Sequence, residues 1–437
     1  MTAADLGRGI ETGAICPVAL AEAFLDAIRS DPAAGRIYAR TMERQALDVA
    51  MGARARAKAG LRRGPLDGVP VAWKDLFDTA GVATEAGSAL LAGRVPDRDA
   101  VVVSRLTASG MPPLGKTHMT ELAFSGLGIN PVTATPPNVH APGACPGGSS
   151  SGSAAAVAFG LAPVAIGSDT GGSVRLPAAW NDLVGLKTTA GRLPLDGVVP
   201  LAPRFDSIGP LARSVEDAAL AFAALDGSPA PDLRGARLSG MRLMVLETVA
   251  LDDLDPAVAD AFDGALARLG AAGARIEHQA VPAVAEAMAL AGVLYTAECW
   301  GTWRARIEAA PERMFPPVRE RFQSGAAHLA ADYVAAWQRL DRLRADWALA
   351  TAGFDAVLMP TVPGLPPPVA PLLADPAAFA AANLRALRNT RIGNLTGGCA
   401  LTLPVGRPSV GITLLAPPGD EARLLRLGAA AEQALAA

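Results

Sequence analysis

Apolar residues recur at helical spacing near the start of the chain, at Leu20, Ala23, Phe24 and Ile28 and again at Leu47 and Val49. That period predicts two helices between residues 17 and 58, parted at Asp31-Pro32, since proline disfavours helix in the residue ahead of it. The charged, alanine-rich residues 54–63 read as a solvated helix face. Asp67-Gly68 then turns the chain into the apolar run Val69-Pro70-Val71-Ala72-Trp73, which reads as a strand ending at Lys74. Val101, Val102, Val103 and Leu106 predict a helix within residues 97–110, leading into a short strand. Residues 124–146 are rich in Gly, Pro and Asn and read as loop. Residues 154–167, small and mostly apolar, predict a buried helix or strand. They are too short for a membrane span, which takes about 18 residues.

In the second half, Val184-Gly185-Leu186-Lys187 reads as a short strand, with Lys187 a surface charge. Ser214 is placed to cap a helix whose first turn holds Glu216 and Asp217, where acidic groups favour the helix dipole. Residues 228–239 form a Pro/Gly-containing linker. A strand–helix–strand pattern follows over residues 243–246, 256–269 and 275–278, then long alanine-rich helices over 282–307 and 328–350. Residues 355–363 read as a buried strand ending in a turn, and Pro366-Pro367-Pro368 as a stiff loop. Two closing strands, 394–404 and 408–415, precede a final amphipathic helix from Ala422. This alternation implies an α/β sandwich, and no internal repeat is evident.

Composition narrows the classes. Of 437 residues, 51% are hydrophobic and 19% charged, which marks a globular chain with material for a large core. The formal net charge is −3, and no Lys/Arg patch is interleaved with aromatics, so nucleic acid is not an expected partner. Cys16, Cys145, Cys299 and Cys399 are far apart and form no Cys-x-x-Cys. Neither a disulfide framework nor a metal site is expected, and the cytoplasm is the expected location. The start, MTAADLGRGIETGAICP, lacks the basic and apolar regions of a signal peptide.

The candidate chemistry lies in two clusters, Gly147-Gly148-Ser149-Ser150-Ser151-Gly152-Ser153 and Asp169-Thr170-Gly171-Gly172-Ser173. In the second, one hydroxyl follows two glycines, so bare backbone N–H groups can converge beside it, as an oxyanion hole requires. The first offers serines on backbone that glycine frees for unusual conformations. Lys74 is a third candidate. Held among apolar residues, its ammonium is disfavoured, its pKa falls, and it can act as a base near neutral pH. Residues 110–117, GMPPLGKT, satisfy the Walker A pattern letter for letter, but Pro112 and Pro113 remove two of the N–H donors a phosphate needs. Lys116 is therefore read as structural. The four histidines, His118, His140, His278 and His328, have no motif that gives them an orienting carboxylate, and they read as loop or surface residues.

The order, spacing and residue types of both clusters, with Arg175 and Pro177 following the second, resemble the amidase signature family. Gly68-Val69-Pro70 ahead of Lys74-Asp75 matches that family's lysine context, and Gly-Lys-Thr before Glu121-Leu122-Ala123 is similar too. The resemblance covers roughly residue 65 to the end, dense to Gly227 and thin from there to Asp355. It implies a large mixed β-sheet covered by helices on both faces, with residues 1–64 a helical segment packed on a catalytic domain of residues 65–437. The half from 240 to 437 is expected to be variable and to shape the substrate site. It implies Ser173 as nucleophile, Ser149 on a cis peptide bond as proton relay, and Lys74 as base. The backbone N–H groups of Thr170, Gly171, Gly172 and Ser173 would hold the oxyanion. Asp169, Arg175 and Ser150 would support the loop. Departures are Ser151 where many members have glycine, Ala144 where a basic residue is frequent, and Pro112-Pro113, which should interrupt a usual strand.

The implied reaction is hydrolysis of a carboxylic amide to acid and ammonia or amine through an acyl-enzyme, with no cofactor and no metal. The substrate pocket is expected between residues 124–136 and the C-terminal half, for a small or aromatic primary amide. Two readings of the same family stand beside it: a glutaminase-type subunit of a tRNA-dependent amidotransferase, and a urea- or biuret-type hydrolase. A nucleotide-binding module on residues 110–117 is the alternative from a different class. A small-molecule amide, no nucleic acid, no membrane and a homodimer complete the expected associations.

Overall fold

The computed structural model describes residues 1–436. Eleven strands form one sheet: β1 (Tyr38–Thr41), β2 (Val71–Lys74), β3 (Pro113–Thr117), β4 (Val164–Ser168), β5 (Val184–Lys187), β6 (Ile208–Ala212), β7 (Arg242–Leu246), β8 (Arg275–Gln279), β9 (Ala356–Pro360), β10 (Cys399–Pro404) and β11 (Gly411–Ala416). Their order across the sheet is β1-β3-β2-β4-β6-β5-β10-β11-β9-β7-β8. The sheet is mixed. β2 runs parallel to β3 and β4, and β7 runs parallel to β8 and β9, while the strands between pair antiparallel.

Burial explains why the strands read as continuous apolar runs. Side chains alternate across a strand, and here both faces are covered. Val71 and Trp73 enter a core with Val102, Leu106 and Val215, whereas Ala72 and Ala165 join the opposite core with Ala154, Ala155 and Val157. At the other end Leu243 and Val245 pack with Val258 and Phe262, and Met244 and Leu246 face Val281 and Trp347. Helices therefore lie on both faces, and the α/β architecture is the expected one. Among the described residues no helix is long and apolar enough to cross a membrane.

Most expected elements form. The helix Pro17–Ser30 ends on its cap Asp31, a short helix Ala34–Ile37 and β1 follow, and the second helix spans Glu43–Lys58; Ser214 caps Val215–Asp226 by accepting from Asp217 N–H. The long helices span Pro282–Ala309 and Ala330–Thr351. Four readings need correction. The N-terminal segment is not purely helical, because β1 adds an edge strand hydrogen-bonded to β3. Pro113 does not interrupt a strand; it starts one, where its missing N–H costs no ladder bond. Residue 394 does not open a strand. It sits in the helix Arg388–Leu395, and β10 begins only at Cys399, beyond the turn at Gly397. Lys187 is no surface charge. It is buried, and its Nζ donates to the carbonyls of Thr188 and Gly398.

Candidate active site

β2 and β4 are parallel neighbours, and both end at the same edge of the sheet, where the open ends of parallel strands leave a crevice. β2 delivers Lys74 there, and β4 delivers Ser168 and the loop that follows. The helix Ser151–Ala158 starts beside them, bringing Ser149 and Ser150. Lys74 is wholly buried, and its Nζ donates to Ser149 Oγ at 2.7 Å and to Ser168 Oγ at 2.8 Å. Burial pushes its pKa down to about 7 against the upward pull of the Asp169 and Asp206 charges. The Gly148–Ser149 peptide bond is cis. Ser150 N–H donates to the Ser173 carbonyl at 3.2 Å, which ties the two clusters together, and Ser150 Oγ donates to the Ser168 carbonyl. Among the described residues Ser149 and Ser173 share no side-chain hydrogen bond.

The loop carrying Ser173 is built around one carboxylate. Asp169 accepts from the N–H groups of Gly172 at 2.8 Å and Val174 at 3.1 Å, from Arg175 Nε at 3.0 Å and Nη2 at 2.9 Å, and from Asn394 Nδ2 at 2.9 Å. Burial works to raise its pKa, but the charge and hydrogen bonds of Arg175 outweigh it, so the carboxyl stays ionised well below the usual range. Arg175 also donates to the Thr390 carbonyl and to Asn394 Oδ1, and both residues of this ion pair are fully buried. Thr170 Oγ1 donates to Asp206 at 2.6 Å. The pattern alters one expectation. Gly172 N–H is committed to Asp169, whereas the N–H groups of Thr170, Gly171 and Ser173 have no protein acceptor among the described residues.

Ser173 opens onto a narrow cleft of about 20 Å3 lined by Phe124, Ser125, Tyr295, Arg321, Leu387 and Arg391. The expected loop and the C-terminal half both contribute. None of the four histidines lines this cleft. His140 Nε2 lies 2.9 Å from Asp182, and His118, expected as a loop or surface residue, is buried at the end of β3. The Walker-like residues are occupied otherwise: Pro113–Thr117 is strand, and Lys116 Nζ donates to the Phe77 carbonyl and to Thr84 Oγ1. No cluster of His, Cys, Asp or Glu able to hold a metal occurs among the described residues.

Sequence reasoning missed Ser168, Thr390, Tyr295, Arg321 and Arg391. Ser168 directly precedes Asp169 and could have been found only from that adjacency to the second cluster. The other four are single residues in helices far along the chain, with no local pattern to single them out.

A doubly covered sheet with a buried lysine–serine pair and free N–H groups at its strand ends defines a class of α/β enzyme suited to acyl transfer. Comparison with known proteins makes the class specific. The Amidase family model matches residues 19–425. The chain is 40% identical over 395 residues to a 2-amino-5-chloromuconic acid deaminase of Comamonas testosteroni, covering 86% of this chain and 85% of that one. It is 34% identical over 478 residues to one subunit of the glutamyl-tRNA(Gln) amidotransferase of Acidothermus cellulolyticus, covering 99% and 94% of the two. A crystal structure of an amidase superposes with a TM-score of 0.90 at 30% identity, covering 99% of each chain. The protein belongs to the amidase family, whose members are hydrolases acting on amide C–N bonds.

Proposed function

We propose that the protein hydrolyses a carboxylic amide through an acyl-enzyme on Ser173, with Ser149 and Lys74 as its proton relay. The observation that carries this reading is the 2.7 Å contact of Lys74 Nζ with Ser149 Oγ in an enclosed site. Neutral Lys74 takes the proton of Ser149 as Ser149 takes that of Ser173, and Ser173 Oγ bonds to the amide carbon. The oxygen of the tetrahedral intermediate takes up the negative charge facing the N–H groups of Thr170, Gly171 and Ser173. One such donor contributes about 3–4 kcal/mol. The C–N bond then breaks as Ser149 returns the proton to the leaving nitrogen, and water releases the acid by the same relay. Asp169, Arg175 and Ser150 hold the loop rather than meet the substrate. All four cysteines are free, which fits the reducing cytoplasm as the location.

The test is ammonia release by the purified chain, with no other protein present, over a panel of amides, ureas and esters, with Ser173→Ala as the blank. Release by the wild type and none by the variant is the expected result; undiminished release by the variant would sink the proposal. A second reading, a partner-dependent amidotransferase component, is favoured by the near full-length likeness to the Acidothermus amidotransferase chain. Turnover by the chain alone decides against it.

A further inference from the structure

Many arginines inside this protein have acidic partners. Arg175 pairs with Asp169, Arg56 with Asp67, Arg40 with Asp75 and Glu85, and Arg94 with Asp78. Arg321 and Arg391, which wall the Ser173 cleft, make no ion pair among the described residues. Arg321 comes from the helix Pro316–Gln323, gives one N–H to the Phe124 carbonyl at 2.8 Å and lies over the Phe124 ring at 4.2 Å. Arg391 is 9% exposed and its Nη2 has no hydrogen-bond partner. Tyr295, 6% exposed, also leaves its hydroxyl unpartnered, while its ring is fixed by stacking on Phe205 at 4.3 Å. Glu320 lines the adjoining cavity but pairs with neither arginine.

A buried guanidinium left without an anion costs stability that a fold recovers only by pairing it. Burial pushes the pKa of Arg321 down to about 9, helped by the neighbouring charge of Arg391, and burial also lowers that of Arg391. The two like charges thus repel across a site that lacks a negative partner. The planar fork of arginine matches the two oxygens of a carboxylate, and a tyrosine hydroxyl completes such a seat.

We propose that the cleft takes amides that also bear a free carboxylate, seated on Arg391, Arg321 and Tyr295 a few carbon atoms from the carbonyl that Ser173 attacks. This rests on the hydrolase reading above and sharpens it. Proximity sets the short arm, because the three residues and Ser173 line one small cleft. The same three residues also line an adjoining cavity of about 360 Å3, walled by Met288, Phe379 and Leu384, which supplies room for a substrate that the narrow cleft lacks. The expectation of a small or aromatic primary amide is thereby narrowed to one that carries an acidic group.

Two readouts test this on the full chain. In the first, succinamate and glutaramate are compared with butyramide and pentanamide, the neutral amides of equal length. The carboxylated member of each pair is expected to show a kcat/KM higher by roughly 10- to 100-fold, the contribution of one or two charge-assisted bonds. Arg391→Met should collapse that ratio, and Arg391→Lys, which keeps the charge but loses the fork, should restore part of it. In the second, succinate and glutarate binding to the wild type and to Arg391→Met is measured by calorimetry, which needs no turnover. Hydrolysis of neutral amides with no preference for the acids, and no dicarboxylate binding, would overturn the inference and leave the hydrolase reading standing. Dicarboxylate binding lost in Arg391→Met, with no amide hydrolysed, would support the inference and remove the hydrolase reading. Binding of inorganic phosphate in place of dicarboxylates would also overturn it.

Discussion

Replacing Ser168 by alanine tests the relay without touching either proposed reacting serine. Ser168 Oγ accepts a 2.8 Å hydrogen bond from Lys74 Nζ inside a site that admits almost no solvent, so Ser168→Ala leaves that N–H without its acceptor. The bond favours the ammonium over the amine, since a hydrogen bond to a charged group contributes about 1.5–3 kcal/mol and one between neutral groups about 0.5–1.5. The difference of about 1–1.5 kcal/mol corresponds to about one pKa unit. Lys74, already near 7 through burial, should therefore fall by about one unit in the variant. The sign follows from the role: the base works only when neutral. In the wild type kcat/KM climbs as pH rises through about 7, and in Ser168→Ala the climb begins about one unit lower. The plateau above it should be lower too, because a weaker base gains less from proton transfer and the amine is less firmly aimed. The assay is initial-rate ammonia release across the pH range, with the limb fitted separately from the plateau. A limb that stays in place or moves upward refutes the relay as drawn, whatever happens to the plateau.

Further consequences concern the loop that carries Ser173. Asp169→Asn strands the Arg175 charge in the interior and should lower stability by about 3–5 kcal/mol, read as a shift in the urea midpoint; adding Arg175→Met should recover part of it. An unshifted midpoint in the single variant would show that the pair is not what holds the loop. Gly172 has φ +134°, and a Cβ there would lie 2.0 Å from Thr390 Oγ1, whereas a Cβ on Gly171 meets nothing within 4 Å. Gly172→Ala should therefore lose both activity and thermal stability, while Gly171→Ala keeps its melting temperature. Equal melting temperatures for the two variants would contradict this account.

The parts of the protein that were legible in the sequence are those in which neighbouring residues share one task. The Gly/Ser clusters and the run into Lys74 each place several constraints within a few positions, so pattern and chemistry could be read together. Lys187 shows the limit. Its strand was expected, yet a strand end gives no sign of whether the amine reaches water, and here two carbonyls receive it indoors. Pro113 misled in another way: a proline breaks a ladder only where an N–H is needed, and the first strand residue does not need one. Gly172 was expected to offer its N–H to the oxyanion, but Asp169, three residues earlier, takes it. Arg321 and Arg391 lay beyond reach, because a charge in a helix looks solvated until its neighbours across the fold are known.

The carboxylate that organises the Ser173 loop receives bonds from both halves of the polypeptide. Asn394 binds it directly, Thr390 binds Arg175 through its carbonyl, and the Thr390 hydroxyl holds the carbonyl of Gly171. The helix that supplies these contacts also carries Arg391 into the cleft. The proposed ligand contact and the alignment of the Ser173 loop thus depend on one short helix, and a shift of that helix would be felt at Ser173. If the carboxylate seat is as proposed, substrate range and turnover are coupled through this one helix.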